Sequence, residues 1–315
     1  MDVIASLKDT SLLAVLKPTN DAFAKVLEEK RAEIEAVPKK TFRYGDTERH
    51  KLDVYYPTVG TTSSGPTPVL FFVYGGGFTS GARRLDPPYD LLYANLGAFF
   101  AKQGILTVIP DYRLVPQAKF PEPMEDVRDA LAWFLSNIGS VNASAPAGSS
   151  LSLDNPGICV MGHSAGAAII SSLYLLPSVL PLDSPIRAAT RGLILQGGGF
   201  KFDFDSLPID PRVLLHLYGS KERTLELEPV ALVARVDDEV VRSLPDIFGL
   251  VSEFDIEQIK EGGDEFFKRL EKRLGKSVRY DVMKRHNHIS PHWALLSGDG
   301  EEWGFDVAEW VKSKA

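Results

Sequence analysis

A serine stands between two glycines where an apolar run gives way to a helix-like one. The residues Gly162-His163-Ser164-Ala165-Gly166 fit the pattern G-x-S-x-G. The apolar run GICVMG (157–162) predicts a buried strand before the serine. The pattern is typical of a sharp turn between a strand and a helix. On that turn the serine hydroxyl extends away from the sheet, and the N–H groups at the start of the helix lie near the negative charge that forms on a substrate oxygen. The pattern predicts a nucleophile at Ser164, with a helix-capping serine as the plainer alternative.

Three consecutive glycines follow an earlier apolar run. Tyr74-Gly75-Gly76-Gly77-Phe78 comes directly after PVLFFVY (68–74), which predicts another buried strand. Glycines let the main chain approach a substrate closely, and their N–H groups can point at one oxygen. A flexible loop is the alternative. A second run, Gly197-Gly198-Gly199, comes after the serine, and we interpret it as a hinge into the segment that follows.

YGGGF followed by GHSAG resembles the HGGG-bearing branch of the α/β-hydrolase fold, which includes hormone-sensitive-lipase-like carboxylesterases and kynurenine-formamidase-like enzymes. Asp111-Tyr112-Arg113-Leu114 also matches that branch, and residues from about 50 to 312 fit its order of elements. The resemblance implies that Gly76, Gly77 and Ala165 donate N–H groups to an oxyanion. Tyr74 replaces the histidine that is usual in the family, so we expect a retained oxyanion hole with altered support. For Asp111 and Arg113 we expect a loop-stabilising role.

The same resemblance implies the position of the base. Its chain order is serine, then an acid, then histidine, so the base lies after Ser164. His288 begins H-I-S, which is similar to the family's H-F-S, and is the favoured base. His286 is the main rival, and His292 is expected to cap or pack the next turn. We expect His163, beside the nucleophile, to be a packing residue.

The acid is expected after the strand-like run PDIFGLVS (245–252). Asp255 matches the family's acid, whose task is to fix the imidazole tautomer and stabilise the imidazolium. Glu253 is the alternative acid, and a helix cap is the alternative role for Asp255. Three histidines within 286–292 also suggest a metal, but a single loop rarely supplies the necessary geometry.

The resemblance implies a serine hydrolase that cleaves a carboxylic ester of a small or aromatic substrate through an acyl-enzyme, without metal or organic cofactor. Three other functions stay open: an aryl-formamide hydrolase, a thioesterase or acyltransferase on a biosynthetic intermediate, and a non-catalytic ligand receptor. The candidate residues Ser164, Asp255 and His288 argue against the receptor.

Strand-like and helix-like runs alternate along most of the chain. This predicts an α/β-hydrolase fold with a mostly parallel eight-stranded sheet and helices on both faces. TFRYG (41–45) and HKLDVYY (50–56) should form an antiparallel edge, and 58–68 and 139–156 should be surface loops. We expect one domain over 1–315. Its cap elements should come from about 1–38 and 200–244, where apolar side chains suggest an apolar pocket; these are Leu207, Val213, Leu214, Leu217 and Tyr218.

The composition excludes several classes of protein. The 315 residues are 44% hydrophobic and 24% charged with a net charge of −7, which is ordinary for a globular protein and offers no basic footprint for nucleic acid. No apolar run is long enough to span a membrane. The single cysteine, Cys159, excludes an internal disulfide and suits the cytoplasm, where we also expect the protein because no export signal is visible. The expected partner is a small-molecule ester or amide, and a homodimer stays open.

Overall fold

The computed structural model describes residues 1–7, 9–57, 65–149 and 151–315. These residues form eight strands: β1 (Lys39–Arg43), β2 (Lys51–Tyr55), β3 (Val69–Val73), β4 (Leu106–Pro110), β5 (Ile158–His163), β6 (Thr190–Gln196), β7 (Asp246–Phe254) and β8 (Arg279–Asn287). They also form fifteen helices: α1 (Asp2–Ser6), α2 (Leu12–Glu29), α3 (Arg31–Glu35), α4 (Ala94–Lys102), α5 (Glu122–Ser136), α6 (Ile138–Ala143), α7 (Ala165–Leu175), α8 (Pro185–Ala189), α9 (Pro211–Tyr218), α10 (Lys221–Leu227), α11 (Pro229–Arg235), α12 (Asp238–Arg242), α13 (Glu257–Leu274), α14 (Ser290–Ala294) and α15 (Glu302–Lys312).

The strands form one sheet in the order β1-β2-β4-β3-β5-β6-β7-β8. The pairs β1–β2 and β2–β4 are antiparallel, and the other pairs are parallel. The eight-stranded α/β-hydrolase sheet and its antiparallel edge are therefore confirmed. Every residue of β3 and β5 is buried, because parallel strands are covered on both faces. The carboxyl ends of β3 and β5 to β8 meet at one edge of the sheet, where the candidate residues lie.

The helices pack in separate groups. Helices α5 and α8 pack together, and α5 and α11 both pack on α7; α3 and α14 pack on α4. This grouping matches the expectation of helices on both faces of the sheet. Among the described residues, no helix is both long and apolar enough to cross a membrane.

The prediction of an unpacked loop over 139–156 is wrong in part. Residues 138–143 form α6, and Val141 is buried, with its carbonyl oxygen 3.0 Å from the hydroxyl of Tyr56 that donates to it. Leu153 is buried as well. A segment rich in small residues can still form a helical turn when one apolar side chain reaches the core. Residue 150 and residues 58–64 of the other predicted loop lie outside the described residues.

Candidate active site

Ser164 lies on a strained turn between β5 and α7. Its φ of 54° and ψ of −120° are unusual for a residue other than glycine. The turn needs both flanking glycines. A Cβ atom at Gly162 would lie 2.6 Å from the carbonyl oxygen of Gly166, and one at Gly166 would lie 2.1 Å from that of Val73. The two glycines of the sequence pattern are thus a steric requirement of the turn.

Three predicted side chains meet at this turn. The hydroxyl of Ser164 is 2.9 Å from Nε2 of His288, and Nδ1 of His288 is 2.7 Å from Oδ1 of Asp255. Main-chain N–H groups of Ser252 and Ile256 also donate to the Asp255 carboxylate, at 3.2 and 2.9 Å. Because Asp255 accepts from Nδ1–H, Nε2 is left free to accept the proton of the serine hydroxyl.

A group of main-chain N–H donors lies beside the serine. Gly76 and Gly77 have φ values of 118° and 58°, which glycine adopts easily. The loop lies directly against the turn, since a Cβ atom at Gly75 would be 2.8 Å from Cβ of Ser164. Within the described chain, the N–H groups of Gly76, Gly77 and Ala165 have no hydrogen-bond acceptor. They are therefore free to bind an oxygen of a ligand.

Tyr74 supports the glycine loop from below. Its hydroxyl donates to Oδ1 of Asp111 at 2.8 Å and accepts from Nη2 of Arg49 at 2.7 Å. Its ring stacks on those of Tyr93 and Tyr112, and the Tyr112 hydroxyl donates to the carbonyl oxygen of Tyr74 at 2.8 Å. Burial and the nearby Asp111 carboxylate raise the pKa of Tyr74 well above its usual value, so the hydroxyl keeps its proton.

Asp111 and Arg113 stabilise loops, each with a different partner. The Asp111 carboxylate accepts from the main-chain N–H of Arg83 at 2.6 Å and pairs with the guanidinium of the same residue. Arg113 binds Asp126 at 2.7 Å and Glu122 at 2.8 Å. Both residues thus hold the loops that follow β3 and β4 rather than reaching the serine.

Two other histidines near His288, one in β8 and one in α14, have structural partners. His286 contacts the hydroxyl of Ser290 and the carbonyl oxygen of Gly300, both at 2.9 Å, and burial lowers its pKa to about 4. His292 contacts Oε1 of Gln196 at 2.8 Å, and burial lowers its pKa to about 3. Neither ring joins Ser164, and His292 packs into the core as expected.

His163 holds the loop that carries His288. Its Nε2–H donates to the carbonyl oxygen of His288 at 3.0 Å, and its ring lies 4.5 Å from that of His292. Burial lowers the pKa of His163 well below its usual value. The sequence predicted a packing residue here, and the hydrogen bond to the loop is the additional finding.

The alternative acid, Glu253, is placed away from the imidazole. Its carboxylate is partly exposed and accepts from the main-chain N–H of Arg285 at 2.7 Å, which lowers its pKa. Lys284 lies 3.5 Å from the same carboxylate. Asp255 is thus the carboxylate that contacts His288.

Sequence reasoning missed Asn287, the residue before His288. Its Oδ1 accepts from the main-chain N–H groups of Ile289 and Ser290 at 3.0 and 2.9 Å. Its Nδ2 donates to the hydroxyl of Thr19 in α2 at 2.9 Å. An asparagine that starts a turn can be recognised from the local sequence, but no local pattern indicates that its partner is Thr19 in α2.

The second glycine run passes against the hydrogen-bonded side chains. The N–H of Gly197 donates to the carbonyl oxygen of Leu250 at 2.8 Å. A Cβ atom at Gly197 would lie 3.1 Å from Oδ2 of Asp255 and 3.5 Å from the ring of His288. The N–H of Gly199 donates to the carbonyl oxygen of Ser164 at 3.3 Å. The run packs on this site and leads into the segment 200–244.

A cavity of about 400 Å³ opens above Ser164 and His288. Helix α2 contributes side chains to it, and so does the segment 200–244. Its lining contains no Asp, Glu, Lys or Arg; the apolar members are Leu12, Leu16, Leu85, Leu92, Tyr93, Pro208, Ile209, Ile256, Ile259 and Ile289. The cavity therefore favours an uncharged, largely apolar ligand.

The apolar residues predicted for the pocket are mostly core residues. Leu207 does line a second, smaller cavity beside Ser164. Leu214, Leu217 and Tyr218 are instead buried, and Val213 packs against the same core. An amphipathic helix buries one face in any case, so apolar residues alone could not distinguish pocket from core. Over the described ranges, no group of three or more His, Cys, Asp or Glu side chains could hold a metal ion.

The mostly parallel sheet, the strained serine turn and the histidine after the last strand are the features of the α/β-hydrolase fold. Residues 52–186 match the family described as BD-FAE. The matched region is less than half of the chain and contains the glycine loop and the serine turn.

Curated relatives align with between 36% and 51% of the chain. A rice protein named probable isoprenylcysteine alpha-carbonyl methylesterase ICMEL1 is 34% identical over 132 residues, which are 42% of this chain and 26% of that protein. The non-reducing polyketide synthase Preu6 of Preussia isomera is 32% identical over 38% of this chain and 5% of that protein. The aligned part of the chain thus spans about a quarter of the methylesterase and a small fraction of the synthase.

Solved structures share the fold over nearly the whole chain. A hyperthermophilic esterase from Pyrobaculum calidifontis has a TM-score of 0.66 at 18% identity, covering 99% of this chain and 96% of that one. Esterase B from Lactobacillus Rhamnosis has a TM-score of 0.65 at 16% identity, covering 93% and 95%. At such low identity the likeness shows the fold.

Proposed function

We propose that the protein hydrolyses carboxylic esters of small or aromatic substrates through an acyl-enzyme on Ser164. One observation carries this proposal: the Ser164 hydroxyl is 2.9 Å from His288, which is itself 2.7 Å from Asp255. Esterase names among the relatives and the solved structures support the same class of reaction.

The first half of the reaction acylates the serine. Nε2 of His288 takes the hydroxyl proton as Oγ of Ser164 bonds to the carbonyl carbon of the ester. Asp255 holds the imidazole in the right tautomer and stabilises its positive charge. The bond to the leaving oxygen then breaks, and that oxygen receives the proton from Nε2. An alcohol departs, and the acyl group stays on Ser164.

The N–H groups of Gly76, Gly77 and Ala165 bind the oxyanion in this proposal. They have no protein acceptor in the described chain, so a negative oxygen would gain hydrogen bonds without breaking any. Donors held in place before the reaction stabilise the charge that forms in the transition state, and each contributes roughly 10²–10³ in rate.

Water completes the cycle. His288 takes a proton from a water molecule, whose oxygen bonds to the acyl carbon. The second tetrahedral intermediate collapses when Nε2 returns the proton to Oγ of Ser164, which releases the acid and restores the enzyme.

The proposal treats 1–315 as a single α/β-hydrolase domain with cap elements from about 1–38 and 200–244. Leu12 and Leu16 from the first segment, and Pro208 and Ile209 from the second, line the cavity above Ser164, which supports this arrangement. A place in the cytoplasm stays a prediction based on the single cysteine.

Hydrolysis of p-nitrophenyl acetate tests the proposal. We expect turnover by the wild-type protein and its loss in Ser164→Ala, since the variant retains the oxyanion donors but lacks the nucleophile. Ser171→Ala is a matched control, because Ser171 is a buried serine of α7 that bonds the Ala167 carbonyl. Full activity in Ser164→Ala would rule out the serine mechanism.

An aryl-formamide hydrolase is the second candidate, because the same side chains would attack a formyl carbon and a small cavity lies beside Ser164. Rates on N-formylkynurenine and on short esters would separate the two. A thioesterase or acyltransferase would use the same serine, and a thioester substrate tests for either activity. A receptor would turn over none of these substrates.

A further inference from the structure

Two cavities of very different size meet at Ser164. The larger, of about 400 Å³, is also lined by His288, His163 and His292. The smaller, of about 40 Å³, lies on the side of Ala165, and its lining includes no histidine. The cavities have five lining residues in common: Gly77, Ser164, Pro208, Ile209 and Ile259.

The direction of proton transfer determines which cavity takes which half of an ester. The leaving oxygen must receive its proton from Nε2 of His288, so the leaving group has to lie on the histidine side of Ser164. The acyl chain points to the other side of the same carbon. If Ser164 is the nucleophile of the proposed function, the small cavity is then the acyl pocket.

We infer that the enzyme is specific for short acyl groups, such as acetyl, carried on larger apolar alcohols or phenols. A volume of about 40 Å³ is on the order of the space that one or two water molecules fill. Such a pocket fits a methyl or ethyl group between its walls, whereas a longer chain would have to extend beyond them. The cavity on the histidine side has about ten times that volume, enough for an aromatic ring.

Fixed side chains keep the acyl pocket small. The main-chain N–H of Phe202 donates to the buried Glu228 carboxylate at 2.6 Å, and the Phe202 ring meets the edge of Phe78 at 6.3 Å. Lys201 also lines the pocket, and its ammonium pairs with Glu265 at 2.8 Å. The part of the wall formed by Phe202 and Phe78 is therefore apolar and anchored.

Ile209 lies at the boundary between the two cavities, as one of the five residues that line both. Its Cγ2 is 3.3 Å from the position of a Cβ on Gly77. The isoleucine thus lies over the glycine that would bind the oxyanion. Its side chain is half-buried and comes from the segment 200–244, so shortening it should join the cavities without disturbing the sheet.

A pair of isomeric esters tests the inference on the wild-type protein. Benzyl acetate and methyl phenylacetate have the same atoms and both release simple alkoxides, but the large group is on opposite sides of the ester. We expect kcat/KM to be at least about tenfold higher for benzyl acetate, since pocket size discriminates on that scale. Equal rates or a preference for methyl phenylacetate would overturn the inference.

Variants of Ile209 provide the second test. The p-nitrophenyl esters of acetate, butyrate and hexanoate keep the leaving group constant. We expect kcat/KM to fall at least about tenfold from acetate to hexanoate, and Ile209→Ala to remove most of that fall. Leu16→Ala is the matched control, because Leu16 lines only the larger cavity and should leave the acetate-to-hexanoate ratio unchanged.

The outcomes distinguish this inference from the proposed function. A flat or rising chain-length profile in an enzyme that still needs Ser164 would reject the acyl-pocket assignment and keep the serine esterase. It would agree with a methylesterase, the activity that the rice relative's name states. If the wild-type protein hydrolysed none of these esters, both the acyl-pocket assignment and the proposed esterase function would be rejected. A wild-type profile decides even if Ile209→Ala does not fold.

Discussion

Three histidines lie within the seven residues 286–292, and their hydrogen-bond partners distinguish their roles. Only His288 among them contacts both a carboxylate and a serine hydroxyl, at 2.7 and 2.9 Å. The sequence favoured it through the likeness of H-I-S to H-F-S but left His286 open. Sequence spacing could not decide which of the two rings faces Ser164, because Arg285 has a φ of 65° and turns the chain just before these residues.

We predict that His288→Gln lowers kcat on p-nitrophenyl acetate by about 10⁴-fold, since glutamine cannot accept the serine proton. His286→Gln is the control. It should lower stability, because His286 bonds Ser290 and Gly300, yet keep kcat of the folded protein within about tenfold. Steady-state kinetics on both variants checks this, and equal losses would count against His288 as the base.

Tyr74 provides a second prediction for a single residue. Tyr74→Phe removes a hydroxyl that bonds Asp111 and Arg49 beneath the glycine loop, so we expect lower kcat and a loss of about 1–3 kcal/mol in unfolding free energy. Tyr56→Phe is the matched control, since it removes one buried hydrogen bond to Val141, outside the site. Urea unfolding and kcat should show a stability loss in both variants and a kcat loss in Tyr74→Phe alone.

Helix α2 is connected by side-chain hydrogen bonds to the end of β8 and to α14. The Thr19 hydroxyl of α2 accepts a hydrogen bond from Nδ2 of Asn287 at 2.9 Å. Oδ1 of Asn20 accepts one from the indole N–H of Trp293 at 2.8 Å. The run of strands was predictable from apolar patterns and turn residues, but these contacts were not. A side-chain hydrogen bond between residues so distant in sequence leaves no local pattern.

We predict that α2 positions His288 through Thr19. Thr19→Val keeps the shape of the buried side chain but removes the hydroxyl that Asn287 contacts, so kcat should fall about tenfold while KM changes little. Thr107→Val in β4 is the control, because Thr107 is also buried but lies in a strand away from the loop. Equal kcat in the two variants would show that α2 only packs.

The buried histidines determine a property of the whole molecule, the dependence of its stability on pH. His163, His286 and His292 have pKa values lowered by burial, the last two to about 4 and 3 from 6.5. Below about pH 6.5 these histidines therefore bind protons in the unfolded chain but stay neutral in the folded protein. Unfolding free energy should fall as pH drops from about 6.5 towards 4, by up to about 1.4 kcal/mol per pH unit for each histidine.

Urea unfolding at pH 7.5, 6 and 5 measures this slope. His286→Gln should reduce it, because glutamine does not titrate. Carboxylates with lowered pKa values titrate mainly below pH 4, so they add little to this window. A stability that stays constant between pH 7.5 and 5 would mean that the three imidazoles are not held neutral by burial.

The fold of the whole molecule was predictable from sequence, while the shape of its site was not. Alternation of strand and helix patterns and the two glycine motifs determine the sheet and the strand ends. The boundary at Ile209 depends on how the segment 200–244 folds back on Gly77, and a contact between residues so distant in sequence leaves no local pattern.

Labelling with a fluorophosphonate tests the nucleophile most directly, because the reagent forms a covalent bond only with an activated serine. We predict one adduct per chain on the peptide that contains Ser164, its absence in Ser164→Ala, and much slower labelling in His288→Gln. An unlabelled wild-type protein, or an adduct that persists on another residue in Ser164→Ala, would contradict the serine mechanism.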